Sequence, residues 1–556
     1  MPQTKSQKTK YIFISGGVIS GLGKGTLSAA LATLLKSCSF NVFPIKADMY
    51  LNIDAGTMNP LEHGETFVLD CGLECDQDLG TYERFLGEPL NAKNYFTAGQ
   101  IYQSVLTKER QLKYNGACVE AYPHIPLEIV EFINRFPKDT EIVIVEFGGT
   151  VGEYQNEAFF EAARKMVAAN PNDVCFLHVG YIPFPPALGE FKSKPMQMSI
   201  SELNSLGIFP DLIVCRSEYS IDDRRREKIA HSAGLPKEYV FSCPNVDSIY
   251  FLPVLLTRQN VLKPIFEKLK LEPREANIKK WEELDKMINK IDKEISIGIV
   301  GKYYSSGEGN LEDSYISVKE AIKHASWKLG TKVNFLLLDS ESVEKTPELL
   351  NKLKQVNAII VPQGWGSRGH EGKIAAIKYA RENKVPYLGL CFGMQMAAIE
   401  IARDVLNLKD ANTQEANPDT KDPIIHIMPD QKKYLEEKNY GGTIRLGSWP
   451  CKIEEGTLVS KLYNQCNRLP ENQVVAERHR HRYEFNNDYK EIFEKNGVKF
   501  CGTSPDGKLV EALELDQKLH PFFIGTQFHP ELISRAFDPH PLFLGLIQAA
   551  LDKQKQ

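Results

Sequence analysis

Two consecutive α/β domains, each a doubly wound parallel sheet, are what this sequence predicts, and three observations carry that expectation. Apolar runs of strand length recur along the chain, at 11–14, 41–45, 141–147, 295–300, 356–361 and 385–390, and segments with apolar residues at helical spacing follow them. Two of the strand-to-helix junctions are glycine-rich turns, GGVISGLGKGT at 16–26 and GLCFG at 389–393. The chain is also too long, at 556 residues, for one hydrophobic core. A composition shift at 271–291, where EPREANIKKWEELDKMINKID is charged with helically spaced apolar residues, divides it. The expected domains are therefore 1–271 and 295–556, with a linker helix over 272–294.

The composition narrows the setting. With 42% apolar and 25% charged residues the chain is ordinary for a water-soluble globular protein. Lys plus Arg is 67 against 72 for Asp plus Glu, a formal charge of −5, which gives no support for general nucleic-acid binding. Eleven cysteines follow no paired framework, as in a reducing, cytoplasmic compartment. No apolar run reaches the ~18 residues a membrane helix needs.

Taken in order, the first junction reads as strand, loop and helix N-terminus. Glycines there let backbone N–H groups approach an anion, the helix dipole favours negative charge, and Lys24 adds a full positive charge. The spacing departs from G-x-x-x-x-G-K-[ST], with Val18 where the motif has glycine, and with Gly25 and Thr26 after the lysine. The next strand ends in Lys46 and Asp48. Strand C-termini line the ligand crevice of open α/β sheets, which places Lys46 toward the same phosphates as Lys24. The run EIVIVEFGG ends in Glu146, where nucleotide enzymes hold a magnesium ion, and Asp78 in DQDLG is its expected companion. Asp76, two residues away on an extended segment, points to the other face. Two basic loops, with Lys192 and Lys194 in one and Arg224, Arg225, Arg226 and Lys228 in the other, suggest a second polyphosphate. His63, alone in a loop, reads from the residues as structural.

The second junction places Cys391 between Gly389 and Gly393, the thiol form of a nucleophile elbow at a helix N-terminus, where the dipole favours thiolate. GTQFHPE follows a later apolar strand and supplies His529 to move the proton and Glu531 to orient the imidazole. Joined to a phosphate-loop domain, a cysteine triad suggests that one domain releases ammonia from an amide and the other uses ATP to attach it. Phosphorylating a carbonyl oxygen makes that oxygen displaceable by a neutral amine.

Over nearly its whole length the sequence resembles the CTP synthase family of glutamine-dependent amidoligases. YIFISGGVISGLGKGT, DAGTMNP with HGE, DQDLGTYERF, EFGGTVGE, KSKPMQ and VDSIY carry the resemblance in the first half. LGLCFGMQ, GGTIRLG, RHRHRYEFN and FHPE carry it in the second. It implies an amidoligase domain followed by a class I glutaminase domain, in which ATP phosphorylates O4 of UTP and ammonia from glutamine displaces the phosphate. By position, Lys24 and Lys46 would neutralise the transferring phosphoryl group. Gly21, Leu22, Gly23, Lys24, Gly25, Thr26, Asp78 and Val246 would contact ATP, and Asp78 and Glu146 would hold Mg2+. Ser20, Lys192, Ser193, Lys194, Pro195, Met196, Gln197 and Lys228 would contact UTP, with Glu153, Tyr154 and Gln155 in the stretch that holds the pyrimidine nucleotide. Cys391, His529 and Glu531 would form the glutaminase triad, with Gly364, Phe392, Gly393, Met394, Gln395, Glu415 and Arg482 around the glutamine. The resemblance moves His63 to a functional position near the ammonia entrance. It further implies GTP activation, CTP feedback and a homotetramer.

The sequence departs from the family pattern in four places. P-G-G-F-G reads Pro362, Gln363, Gly364, Trp365, Gly366, so Gln363 takes a glycine's place on the oxyanion strand, at a cost of ~1 kcal/mol or more if that position needs positive φ. G-D-I-E reads Gly152, Glu153, Tyr154, Gln155, and T-V-Q reads Cys118, Val119, Glu120, both where the family binds the pyrimidine nucleotide and inhibitory CTP. K-D-V reads Pro244, Asn245, Val246, at the adenine contacts. Two other functions share parts of the pattern. A cobyrinate-type amidotransferase also joins a phosphate loop to a cysteine elbow but lacks KSKPMQ and DQDLGTYERF. A partitioning-type ATPase has deviant phosphate loops but no use for a triad.

Overall fold

The computed structural model describes residues 8–306, 309–310, 312–428, 431–437 and 441–555. Two compact units divide the chain, and the division is discontinuous: residues 1–54 and 81–286 form the first, residues 55–80 and 287–556 the second.

A seven-stranded, all-parallel sheet organises the first unit. From edge to edge its strands are Tyr95–Thr97, Val42–Asp48, Ile142–Phe147, Lys10–Gly17, Val174–Tyr181, Leu212–Ser217 and Val240–Pro244. Ile12, Phe13 and Ile14, and Ile142 to Val145, are buried because helices cover both faces, which is why these strands read as continuous apolar runs without alternation. The helix Lys24–Ser37 follows the first strand. Lys46 sits directly opposite Glu146 in the register of their two strands. The anticipated linker helix is Lys279–Asn289, and its Trp281 is fully buried in a stack with Phe85 and Tyr250. That stack fastens the helix to the first unit.

In the second unit five parallel strands, Lys332–Asp339, Glu294–Gly301, Ala358–Val361, Tyr387–Leu390 and Phe523–Thr526, continue into four antiparallel ones, Val510–Leu515, Val498–Thr503, Arg445–Ile453 and Val474–His481. The parallel half supplies the cysteine elbow, and the antiparallel half walls it. Separate apolar cores cover the two faces, one around Met394, Ile399 and Phe500, the other around Ile299, Phe528 and Leu546. The hairpin of Thr66–Val68 and Glu74–Asp76 also belongs to this unit. Two charge pairs fix it: Asp70 accepts from Arg478 at 2.6 Å, and Glu74 from Arg480 at 2.7 Å. Among the described residues no helix is long and apolar enough to cross a membrane.

Candidate active sites

The phosphate loop leaves the sheet at Gly17 through three exposed residues, Val18, Ile19 and Ser20, and enters its helix at Lys24. Gly21 and Gly23 have φ of 70° and 75°, conformations that a glycine adopts without strain. Val18 has φ of 83°, which a β-branched residue adopts only under strain, and strain of this kind concentrates at functional loops. This is the position where the standard motif has glycine. Leu22 is buried, and its carbonyl accepts from Arg216 Nε at 3.1 Å. Gly25 is buried and Thr26 half-buried in the first helical turn.

Lys24 is buried and donates to the Gly149 carbonyl at 2.7 Å. Its side chain lies over Gly16, where an added Cβ would come within 2.7 Å of Cδ. Lys46 donates to Glu146 Oε1 at 3.0 Å and lies 3.8 Å from Asp48. Tyr82 holds the other oxygen of Glu146. Lys46, Asp48 and Glu146 are thus one buried cluster at the C-terminal ends of two neighbouring strands, and Asp48 joins it although the sequence reading gave it no role. Asp78, half-buried, begins the helix Asp78–Leu86, its N–H donating to Asp76 Oδ1 at 2.7 Å. His63 Nε2 lies 3.4 Å from Asp76 Oδ2.

The acceptor residues proposed from sequence are mostly on the surface. Lys194 and Pro195 open the helix Lys194–Ser205 after Ser193, with Gln197 one turn in. Lys192 pairs with Glu190, which Arg225 also binds, at 2.7 Å. Lys228 is exposed on the helix Asp223–Ala233. Met196 instead points into the core, its sulfur where a Cβ on Gly180 would stand. Glu153 folds back on its own loop, accepting from Thr150 N at 2.7 Å and from Gln155 at 2.8 Å, while Tyr154 is 87% exposed. Val246 is half-buried beyond the last strand of this sheet.

Arg216 is a residue that sequence reasoning missed. Besides the Leu22 carbonyl it binds the carbonyls of Cys243 at 2.6 Å and Pro244 at 2.9 Å and the side chain of Asn245. It ties the phosphate loop to the segment carrying Val246. An arginine inside an apolar strand, LIVCRS, was the available signal. A second buried group, His178, bonds Ser15 Oγ at 2.9 Å and Ser199 Oγ at 2.8 Å, joining the phosphate-loop strand to the helix Lys194–Ser205. Burial and the nearby Lys24 hold its imidazole down at about 3.

In the second unit Cys391 occupies the turn between the strand Tyr387–Leu390 and the helix Phe392–Asp404, with φ of 51° and ψ of −100°. Gly393 is obligatory there, because a Cβ would stand 1.9 Å from the Val361 carbonyl. His529 Nδ1 and Glu531 Oε1 are 2.7 Å apart, and both residues are buried. Burial opposes the charged imidazolium, but Glu531 and the Cys391 sulfur overcome it and push His529 up to about 10. His529 is therefore an imidazolium at neutral pH, a positive charge set beside the Cys391 sulfur. The pocket over it is lined by Gln363, Gly364, Trp365, Phe392, Gln395, Glu415, Arg480, His481, Arg482 and Tyr483. Glu415 accepts from the Gly366 N–H at 2.7 Å, and burial raises its carboxyl. Arg482 is held by Gln431 at 3.1 Å and Thr443 at 2.9 Å. Met394 packs in the core behind the elbow.

Two buried lysines, also missed from sequence, clamp the segment 362–366 that follows the strand Ala358–Val361 beside the thiol. Lys302 donates to the Gly366 carbonyl at 2.6 Å and Lys373 to the Pro362 carbonyl at 2.7 Å. Burial drives both toward the neutral amine, Lys302 to about 8. Gly364 lies close to Lys302, with room for a Cβ only 2.5 Å from Cε. Gln363 is not among the positive-φ residues, so the anticipated backbone strain does not arise, and its side chain donates to Glu65 at 3.1 Å. A neighbouring cavity of about 340 Å³ is lined by Gly56, Thr57, Glu74, Tyr303, Trp365 and Arg480, with the Arg480 guanidinium 5.3 Å over the Trp365 ring.

Each half of the chain matches a known family. Residues 10–271 match the family described as CTP synthase N-terminus, and residues 310–549 the class-I glutamine amidotransferases. A CTP synthase of Prochlorococcus marinus is 45% identical over 551 residues, covering 99% of each chain. One of Sulfolobus acidocaldarius is 46% identical, covering 98% of this chain and 99% of its own. One of Pyrococcus furiosus is 46% identical, covering 99% of each. With both family matches in place and the identity sustained along the full chain, this protein belongs to the CTP synthase family of glutamine-hydrolysing ligases.

Proposed function

We propose that the chain makes CTP from UTP in two coupled half-reactions, with the roles of its residues as follows. The Cys391 thiolate attacks the side-chain carboxamide of glutamine. The C–S bond forms, the C–N bond breaks, and His529 gives its proton to the departing ammonia. His529, oriented by Glu531, then takes a proton from water as the thioester is hydrolysed to glutamate. The backbone N–H of Gly364 would serve the developing oxyanion, on a segment whose Pro362 and Gly366 carbonyls are held by Lys373 and Lys302. Glu415 and Arg482 take the ammonium and carboxylate of the glutamine.

In the first unit the phosphate loop and Lys24 hold the ATP phosphates, and Lys46 neutralises charge as the phosphoryl group passes to O4 of UTP. Ammonia then displaces that phosphate. Asp78 and Glu146 would supply hard oxygen donors of the kind Mg2+ takes, and Lys46 and Tyr82 hold the Glu146 carboxylate rigid, which suits that carboxylate to the ion. When bound, Mg2+ supplies charge neutralisation along the polyphosphate. Lys192, Lys194, Gln197 and Lys228 are the acceptor contacts by side chain. Met196 serves only through its backbone, since its side chain is core. The finer regulatory reading is GTP activation, with Trp365 and Arg480 as the stacking pair for guanine, CTP feedback at the 118–120 and 152–155 segments, and a cytoplasmic homotetramer. Small molecules are the partners, not nucleic acid.

The observation that carries this reading is the strained cysteine turn facing a buried His–Glu pair. Cys391→Ala tests it. Glutamine-driven synthesis should fall below detection while ammonia-driven synthesis persists, both followed as CTP formed; loss of both would overturn the division of labour.

A further inference from the structure

Gln527 is fully buried in the segment between the strand Phe523–Thr526 and His529, and none of the roles above uses it. Its Nε2 lies 3.5 Å from Cys391 Sγ. Its Oε1 accepts from Gln395 Nε2 at 3.1 Å, and that same nitrogen donates to the Tyr483 carbonyl at 3.0 Å. Its backbone N–H is fixed on the Glu511 carbonyl at 2.8 Å.

The amide orientations follow from this chain of contacts. A backbone carbonyl only accepts, so Gln395 must turn its NH2 toward Tyr483. The same NH2 then faces Gln527, which must present oxygen to it. The remaining end of the Gln527 amide, its NH2, is thereby aimed at the sulfur. We propose that the side-chain amide of Gln527 is a catalytic hydrogen-bond donor to the Cys391 sulfur, holding it as a thiolate in line with the glutamine carboxamide, with Gln395 locking the amide's orientation.

A thiol sulfur is a weak acceptor, whereas a thiolate is a charged one, so the bond favours the reactive form. Gln527 neither gives up nor takes a proton in the reaction. The bond weakens once the sulfur is acylated and is restored when the thioester is hydrolysed. Other groups also face the sulfur. His529 supplies its positive charge, Lys373 lies within electrostatic range, and Glu415, Arg480, His481 and Arg482 line the same pocket. The Arg480 carbonyl, 3.7 Å from Sγ, can accept only from the protonated thiol and so opposes thiolate. A neutral donor at the sulfur offsets that carbonyl without adding a further cation beside His529. Gln395 acquires a double function, since the residue expected to contact the substrate also fixes the group that activates the nucleophile.

The inference rests on Cys391 being the nucleophile, and the experiment separates the two. Alkylation of Cys391 by iodoacetamide is followed from pH 5 to 10 by peptide mass, with Cys391→Ala identifying the labelled site. In Gln527→Met, which keeps the side-chain length but has no N–H, the alkylation midpoint should move up by about one pH unit, a tenfold loss of thiolate below it. The kcat for glutamine hydrolysis should fall by a similar factor with KM little changed. Gln527→Glu, which keeps the shape but turns an oxygen toward sulfur, should move the midpoint further and serves if the Met variant does not fold. A midpoint and kcat equal to the parent's in a folded variant would overturn the role of Gln527. Hydrolysis of glutamine surviving in Cys391→Ala would instead overturn the nucleophile assignment, whatever Gln527 does.

Discussion

The two centres are built in opposite ways. The thiol centre is closed: Cys391, His529 and Glu531 are all buried, the segment 362–366 is clamped by Lys302 and Lys373, and even the amide beside the sulfur has a fixed orientation. The phosphate centre is open, with Val18, Ile19, Ser20 and Gly21 exposed and its expected acceptor residues, Met196 apart, exposed or half-buried. Its charged floor, Lys24, Lys46, Asp48 and Glu146, is buried. Hydrolysis of a small amide needs one substrate and a preorganised pocket. Phosphoryl transfer between two large polyanions needs a charged floor and room above it. The difference in burial follows from that difference in substrates.

The strongest way to break the comparison is to empty the open centre of its charge. Lys24→Met and Lys46→Met should each lower CTP formation by ~10³ or more, with glutamine and with ammonia alike, since a phosphoryl-transfer site works mainly by placing charge. Glutamine hydrolysis, measured as glutamate released, should survive, because the closed centre does not use those lysines. Equal loss of hydrolysis would mean that the second centre is not self-contained.

Removing one charge from the closed centre is next in size. Glu531→Gln keeps the shape but removes the anion that holds His529 near 10, and glutamine hydrolysis should drop by ~10²–10⁴ while ammonia-driven synthesis is retained. The sign of the pH effect follows from the same shift. A histidine raised from 6.5 to about 10 adds stability that is complete below pH 6.5 and disappears as the pH rises through 10. In the variant that alkaline loss should shrink, which denaturant unfolding at pH 7 and pH 10 would read.

These sites were legible in the sequence to unequal degrees, for a physical reason. The elbow and the F-H-P-E run were legible because a strained turn and a His–Glu pair impose particular residues at fixed spacing. Lys24 was legible from the glycine-rich turn before its helix, and Lys46 and Glu146 as charges at the ends of apolar strands. Arg216, Lys302, Lys373 and Gln527 had no role in that reading, because their partners are backbone carbonyls or residues distant in sequence. The antiparallel half of the second sheet was also unread, since Val498–Thr503 and Val510–Leu515 are as buried as parallel strands. Nor does periodicity show that residues 55–80 leave the first unit, because the charge pairs from Asp70 and Glu74 reach across some four hundred positions.

Acid should separate the units by the histidines each one buries. His178 sits at about 3, so between pH 6.5 and 3 only the unfolded chain takes its proton and the first unit loses stability as pH falls. At pH 5 that loss is about 2 kcal/mol. The second unit holds His370 and His520 at about 4, with His479 and His481 also depressed by burial; His529 and the raised carboxyls of Glu400, Glu415, Glu511 and Glu514 oppose that loss, and with four depressed histidines the unit should still lose more. Calorimetry at pH 7.5 and 5 should show the second unit's transition falling further. An equal shift would mean that the buried histidines do not govern acid stability.

The smallest effect sharpens the contrast most, because it concerns how the open centre keeps its shape. Arg216 spans the Leu22 loop carbonyl, two carbonyls at the end of the strand Val240–Pro244 and a side-chain oxygen with one planar guanidinium, and a lysine has neither the fork nor the fixed directions to do so. In Arg216→Lys the charge stays, so the electrostatics of the phosphate floor are nearly unchanged. The Leu22 carbonyl and the segment bearing Val246 lose their common tie, however, and the loop must be ordered by the nucleotide itself. The expected result is a severalfold rise in KM for ATP with kcat and the KM for glutamine unaltered, read from ammonia-driven and glutamine-driven assays run in parallel. A fall in kcat at unchanged KM would instead place Arg216 in the transfer step, and the open centre would then be as preorganised as the closed one.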